Sequence, residues 1–118
     1  LAEESADILS KAQSYTCHGV SCYRKGFLEE AENYLAEGSN ACDKINLFLW
    51  GSVGQHSLGE VYYEIGDYTK AIDCHLFAAS MANKIQFLPS FQNLNEIGAA
   101  RSMVVNKEPN VDLVRIYN

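Results

Sequence analysis

The chain matches itself at an interval of forty residues, and this interval limits its fold more than any other feature. When the stretch His18 to Ala31 is laid over Leu58 to Ala71, Gly19 meets Gly59, Tyr23 meets Tyr63, Gly26 meets Gly66 and Ala31 meets Ala71. Further on, Lys44-Ile45 meets Lys84-Ile85 at the same offset. Shared small residues at one spacing define a structural repeat. A unit of this length buries its apolar face only by stacking on its neighbour.

Each unit reads as a helical hairpin. Leu58, Val61, Tyr62 and Ile65 fall at i, i+3, i+4 and i+7, which is one stripe of an amphipathic helix. Gly66-Asp67 interrupts, and Tyr68, Ala71, Ile72 and His75 then begin a second stripe with the same spacing. A two-residue break forces the helices to fold back antiparallel, so the stripes must face each other. Glycine in a helix interior costs about 1 kcal/mol relative to alanine, so Gly19 and Gly59 point to close approach of a neighbouring helix. Gly26 and Gly66 suit the left-handed residue that ends a helix. Ala31 and Ala71 sit one turn into the second helix, where a larger side chain would push the pair apart.

A third copy follows Leu88-Pro89, because the residue before proline avoids the helical region. Ser90 is the expected cap of the next helix, with Leu94, Ile97, Arg101 and Val105 on one face and Gly98 placed 39 after Gly59. Helices are expected at roughly 3–25, 28–45, 48–65, 68–86, 90–105 and 111–117. They group as repeat 1 at about 3–45, repeat 2 at about 48–86 and a partial repeat 3 at about 90–118. The expected fold class is all-α, a single domain of stacked antiparallel hairpins. The start at Leu1 and the stop within the last helix are read as those of a piece of a larger protein.

Composition narrows the function. The 118 residues carry a net charge of −6, with Lys and Arg single or paired, so no basic patch for nucleic acid is expected. No apolar run reaches the ~18 residues of a membrane span. Cys17, Cys22, Cys42 and Cys74 form no Cys-x-x-Cys pair and lie in helical patterns, as reduced apolar fillers in a cytoplasmic protein would.

The stretch Leu58-Gly59, Tyr62, Gly66-Asp67-Tyr68, Ala71-Ile72 and Ala78 resembles the tetratricopeptide repeat. The first copy agrees at Gly19, Gly26 and Ala31, with His18 in place of Leu and Gly38 in place of Ala; the third retains Gly98. The run from Ser57 onward is also similar to longer-repeat modules at the C-terminal ends of microbial signalling ATPases and nucleotide cyclases. The resemblance implies a right-handed superhelix whose concave face binds peptides or partner domains. By the same resemblance, the first helix of each repeat lines that face. The ligand-facing positions are then Thr16, Val20, Tyr23 and Arg24, next His56, Glu60, Tyr63 and Glu64, and last Asn95, Ala99 and Ser102. Chaperone-binding members carry a Lys and Asn clamp for a C-terminal carboxylate. His56 and Glu60 stand there instead, so a basic or polar segment is the expected partner.

No catalytic set, cofactor or metal is expected. His18 and Cys22 share a helix face at i, i+4 but have no third ligand at useful spacing. Adjacent Cys74 and His75 diverge by ~100° on a helix, which leaves only a cross-helix pairing such as His56 with Cys74. Glu3-Glu4 and Glu29-Glu30 complement helix N-termini, and Gly51, Gly54 and Gly59 lack the Lys-Ser/Thr of a phosphate loop. Leu47, Phe48 and Trp50 are expected to cover the seam between the first two repeats, or else to anchor a partner. The expected function is a noncatalytic scaffold for protein or peptide. The alternative is a structural or oligomerising module, with a homodimer through Val111, Val114 and Tyr117.

Overall fold

Three turns of one design divide the chain. At each, a backbone N–H two or three residues past the helix bonds back five residues: Phe27 to Cys22, Leu47 to Cys42 and Asp67 to Tyr62, all at 2.9 Å. The residue before each donor has positive φ: Gly26 at 86°, Asn46 at 53° and Gly66 at 98°. These are Schellman closures, in which a left-handed residue satisfies the last carbonyls of a helix. Among the described residues they recur every twenty positions, at Phe27, Leu47 and Asp67.

The computed structural model describes the backbone of residues 2–84 and 89–106, with side chains over 6–84 and 94–106. Its elements are α1 (Ala2–Arg24), α2 (Leu28–Lys44), α3 (Phe48–Ile65), α4 (Tyr68–Lys84) and α5 (Pro89–Asn106). The described residues contain no strand, and the all-α class holds. The helix placed at 111–117, the apolar face at Val111, Val114 and Tyr117, and the Glu3-Glu4 side chains lie outside the described residues.

Sequence neighbours pack as hairpins, α1 on α2 and α3 on α4, and α5 packs on α4. The odd-numbered helices also touch in the order α1, α3, α5, whereas α2 and α4 make no mutual contact. One layer therefore consists of α1, α3 and α5. The main apolar cluster joins both hairpins through Cys22, Ala31, Leu35, Leu58, Val61 and Cys74. A second joins Ala12, Ala41 and Cys42 under Leu47 and Trp50, which places those two on the seam between the hairpins. Ile72, Ala99 and Met103 tie α5 to α4.

Glycines set how closely the layers approach. Leu35 of α2 lies on Gly19, where an added Cβ would stand 2.6 Å from its Cγ. His75 of α4 lies on Gly59, where the corresponding gap is 2.7 Å. Gly38, which departs from the alanine of the resembled pattern, abuts the backbone of Thr16; a Cβ there would come 3.0 Å from the Thr16 nitrogen.

Several expectations need correction. Ile65, expected in the buried stripe, is 50% exposed, because it is the last residue of α3 before the turn. Leu94, Ile97 and Val105 also face outward, at 50%, 47% and 41% exposure. The buried side of α5 is instead Asn95, Gly98, Ala99, Ser102 and Met103, mostly small residues that let α5 lie close on α4. Thr16, Asn95, Ala99 and Ser102 are fully buried, so none of them presents a side chain to a partner at the surface. Ser90 does not cap α5 but lies inside it, because the helix begins at Pro89, whose fixed φ suits a first helical position. Cys17 is exposed, whereas Cys22, Cys42 and Cys74 are buried free thiols.

The packing account predicts opposite responses at two glycines of α3. Gly59→Ala should lose about 1–3 kcal/mol of stability, because the new methyl group overlaps the His75 ring. Gly54→Ala meets its nearest atoms at an ordinary 3.6 Å and should be neutral or gain up to about 1 kcal/mol from helix propensity. Urea unfolding of both variants checks this; equal shifts would contradict the close-approach reading.

Candidate functional site

The polar residues of the second repeat converge where α3, α4 and α5 meet. Their positions follow from the forty-residue register. His56 occupies the place of Thr16, Glu60 that of Val20, and His75 that of Leu35. At one junction the first repeat therefore carries two aliphatic residues and a hydroxyl, and the second carries two imidazoles and a carboxylate.

His75 is fully buried. Its ring is held between Gly59 and Gly98, since a Cβ on Gly98 would also fall 2.9 Å from it. Nδ1 lies 3.0 Å from the Ala71 carbonyl one turn earlier, and Nε2 lies 3.1 Å from Glu60 Oε1. One terminal nitrogen of Arg101 donates to both Glu60 oxygens, at 3.1 and 3.2 Å. His56 Nδ1 is 2.8 Å from Asn95 Oδ1, and its ring meets that of His75 edge-on with centroids 5.5 Å apart. One nitrogen of each imidazole and one Glu60 oxygen lie within 4.8 Å of one another, a span that a single metal ion bridges.

The surface side of the cluster is aromatic. The Arg101 guanidinium stacks 3.7 Å from the centre of the Tyr63 ring, which meets Tyr68 edge-on at 5.6 Å. Burial raises the Tyr23 phenol pKa, and the nearby Glu60 and Glu64 charges raise it further. Tyr23, Arg24 and Glu64 line one shallow cavity of about 450 Å³ with Lys25, Gly26 and Leu28.

Of the residues expected to face a ligand, Tyr23, Arg24, Tyr63 and Glu64 lie exposed or half-buried along α1 and α3. His56 and Glu60 are half-buried and engaged with residues of α4 and α5. Glu60 therefore does not leave a carboxylate free for a cationic partner. Sequence reasoning placed His75 in an apolar stripe and gave Arg101 no role. The usable signal was the register itself, which sets His75 against Leu35 and so marks a polar residue in an apolar slot. The cross-helix pairing of His56 with Cys74 does not form. Cys74 belongs to the apolar cluster on the other side of α4, where burial pushes its thiol up to about 12.

Comparison with family models, curated protein sequences and solved structures returns no match.

The electrostatics make a pH prediction. The His75 hydrogen bond and then the Arg101 charge hold the Glu60 carboxyl down at about 2, against an opposing push from burial. His56 is lowered from its ordinary 6.5, chiefly by burial and further by His75 and Arg101. In both cases the unfolded chain binds the proton more readily, so both groups lose stability on acidification. His56 contributes this loss below pH 6.5, and Glu60 between its ordinary 4.5 and about 2. Glu60→Gln should cost about 1–3 kcal/mol at pH 7, and the gap to wild type should close as pH falls toward 2. Thermal melts by circular dichroism in chelator-containing buffer measure it; a constant gap would remove Glu60 from the network.

Proposed function

We propose that this chain is a noncatalytic scaffold that holds a polar peptide or partner domain against the face shared by α1, α3 and α5. The arrangement proposed is a right-handed superhelix of the tetratricopeptide kind, with that face concave. One observation carries the reading. Tyr23, Tyr63, Glu64 and Arg101 come from three different helices, yet act on one patch, with Arg101 fixed over Tyr63 by Glu60. Side chains already fixed by the fold lose little entropy when a ligand arrives, and Tyr and Arg are the residue types that dominate interface energetics. Glu64 is the exposed carboxylate of the patch and suits a basic group on the partner.

No helix among the described residues is long and apolar enough to cross a membrane. Buried free thiols at Cys22, Cys42 and Cys74 suit a reducing compartment, so the proposed setting is cytoplasmic. A second reading, a structural or oligomerising module, draws on the outward-facing Leu94, Ile97, Val104 and Val105 of α5. Sedimentation over a range of concentrations separates the two, because a self-associating module changes mass with concentration.

Selection from a displayed library of polar peptides tests the scaffold reading. The wild-type chain should enrich a related set of sequences. Tyr23→Ala combined with Glu64→Lys should weaken the best of them at least about tenfold while leaving the far-ultraviolet spectrum unchanged. Equal binding by the double variant would move the ligand face elsewhere.

A further inference from the structure

The His75 ring lies between two acceptors. The Ala71 carbonyl, 3.0 Å from Nδ1, can only accept, and so can the Glu60 carboxylate 3.1 Å from Nε2, which already receives Arg101. A neutral imidazole has one proton for the two. In the tautomer that donates from Nδ1 to Ala71, Nε2 presents a lone pair toward Glu60 Oε1, and a metal ion held by both atoms satisfies that contact.

The neighbours favour the metal. Asn95 Oδ1 lies 2.8 Å from His56 Nδ1, so a proton donated there leaves the ring's other nitrogen to a metal, as in the corresponding tautomer of His75. Both imidazoles are thus oriented by a carbonyl oxygen behind them, and the carboxylate by a guanidinium, which is how outer contacts position metal ligands. The 3.1 Å gap from Nε2 to Oε1 is close to the ~3.3 Å edge of a tetrahedron with ~2.0–2.1 Å bonds. Gly59 and Gly98 leave the space that the His75 ring fills.

We propose that His56, Glu60 and His75 form a binding site for a divalent transition-metal ion of the zinc class. This goes beyond the scaffold reading and does not depend on it. Two nitrogens and one oxygen suit zinc or cobalt rather than magnesium or calcium. The Arg101 charge beside Glu60 opposes the incoming cation and weakens its binding. His75 has a structural counterpart in Leu35, so the apolar residue that fits its slot is known from the chain itself.

The test titrates Zn2+ into the chelator-stripped 118-residue chain by calorimetry, with thermal melts alongside and Co2+ as a spectroscopic probe. Expected are one ion per chain, a visible cobalt absorption band, and a melting temperature raised by roughly 10 °C at a hundredfold excess over Kd. His75→Leu should keep its helicity and lose affinity by more than about 100-fold, and Glu60→Gln should lose at least about tenfold. The His18→Ala and Cys17→Ser variants, altered on exposed positions of α1, should bind as wild type. Absence of binding in the wild type would overturn the proposal. Binding retained in both His75→Leu and Glu60→Gln, or lost in the α1 variants, would overturn it as well. If His75→Leu fails to fold, Glu60→Gln decides.

Discussion

The structure depends on a side chain of one helix resting on a glycine of the helix before it. Leu35 on Gly19 and His75 on Gly59 set the distance between the two helices of each hairpin. The next hairpin or helix must then fit against the surface so formed, as Gly98 does against the far side of the same His75 ring. Close packing turns these contacts into a strict requirement on volume, because an interior at crystal-like density has no slack for an added methyl group. The turns cooperate with this. The left-handed closures at Gly26 and Gly66 return α2 and α4 at the phase that brings Leu35 over Gly19 and His75 over Gly59.

Within this frame, one slot has been given to a different chemistry. The first hairpin fills it with Leu35, which asks nothing of its neighbours beyond contact. Placing His75 there buries two polar nitrogens, and each must be satisfied or cost stability. The Ala71 carbonyl and Glu60 stand against those nitrogens, Arg101 balances Glu60, and His56 with Asn95 extends the set to a second imidazole. The ionisable cluster is thus localised to the α3–α4–α5 junction, while the α1–α2–α3 junction is mainly apolar around the Thr16 hydroxyl. The same ion pair fixes the guanidinium that stacks on Tyr63, so interior charge and surface shape are connected through Arg101.

The existence of α1 to α5 and the pairing of α1 with α2 and α3 with α4 were legible in the chain because they follow from local quantities: periodicity, Gly-Asp and Lys-Gly breaks, and a proline. Which face of a helix turns inward was less legible. In α3 the stripe through Leu58 and Val61 is buried, but its continuation at Ile65 has run off the end of the partner helix. In α5 hydrophobicity misleads altogether: Leu94 and Ile97 point outward because Gly98, Ala99 and Ser102 permit a closer approach than any large side chain could. Thr16 and Asn95 were misplaced for a related reason, since both point into junctions between helices that a single helical wheel does not represent.

The sequence by itself determined the all-α class, the hairpin order and the forty-residue spacing, because each rests on interactions between residues close along the chain. Only the tertiary structure decided that His56, Glu60, His75 and Arg101 meet, since they belong to three helices and lie up to forty-five residues apart. Their meeting depends on how deeply each helix settles on the glycines of its neighbour, a distance set by packing in three dimensions and not by periodicity along one.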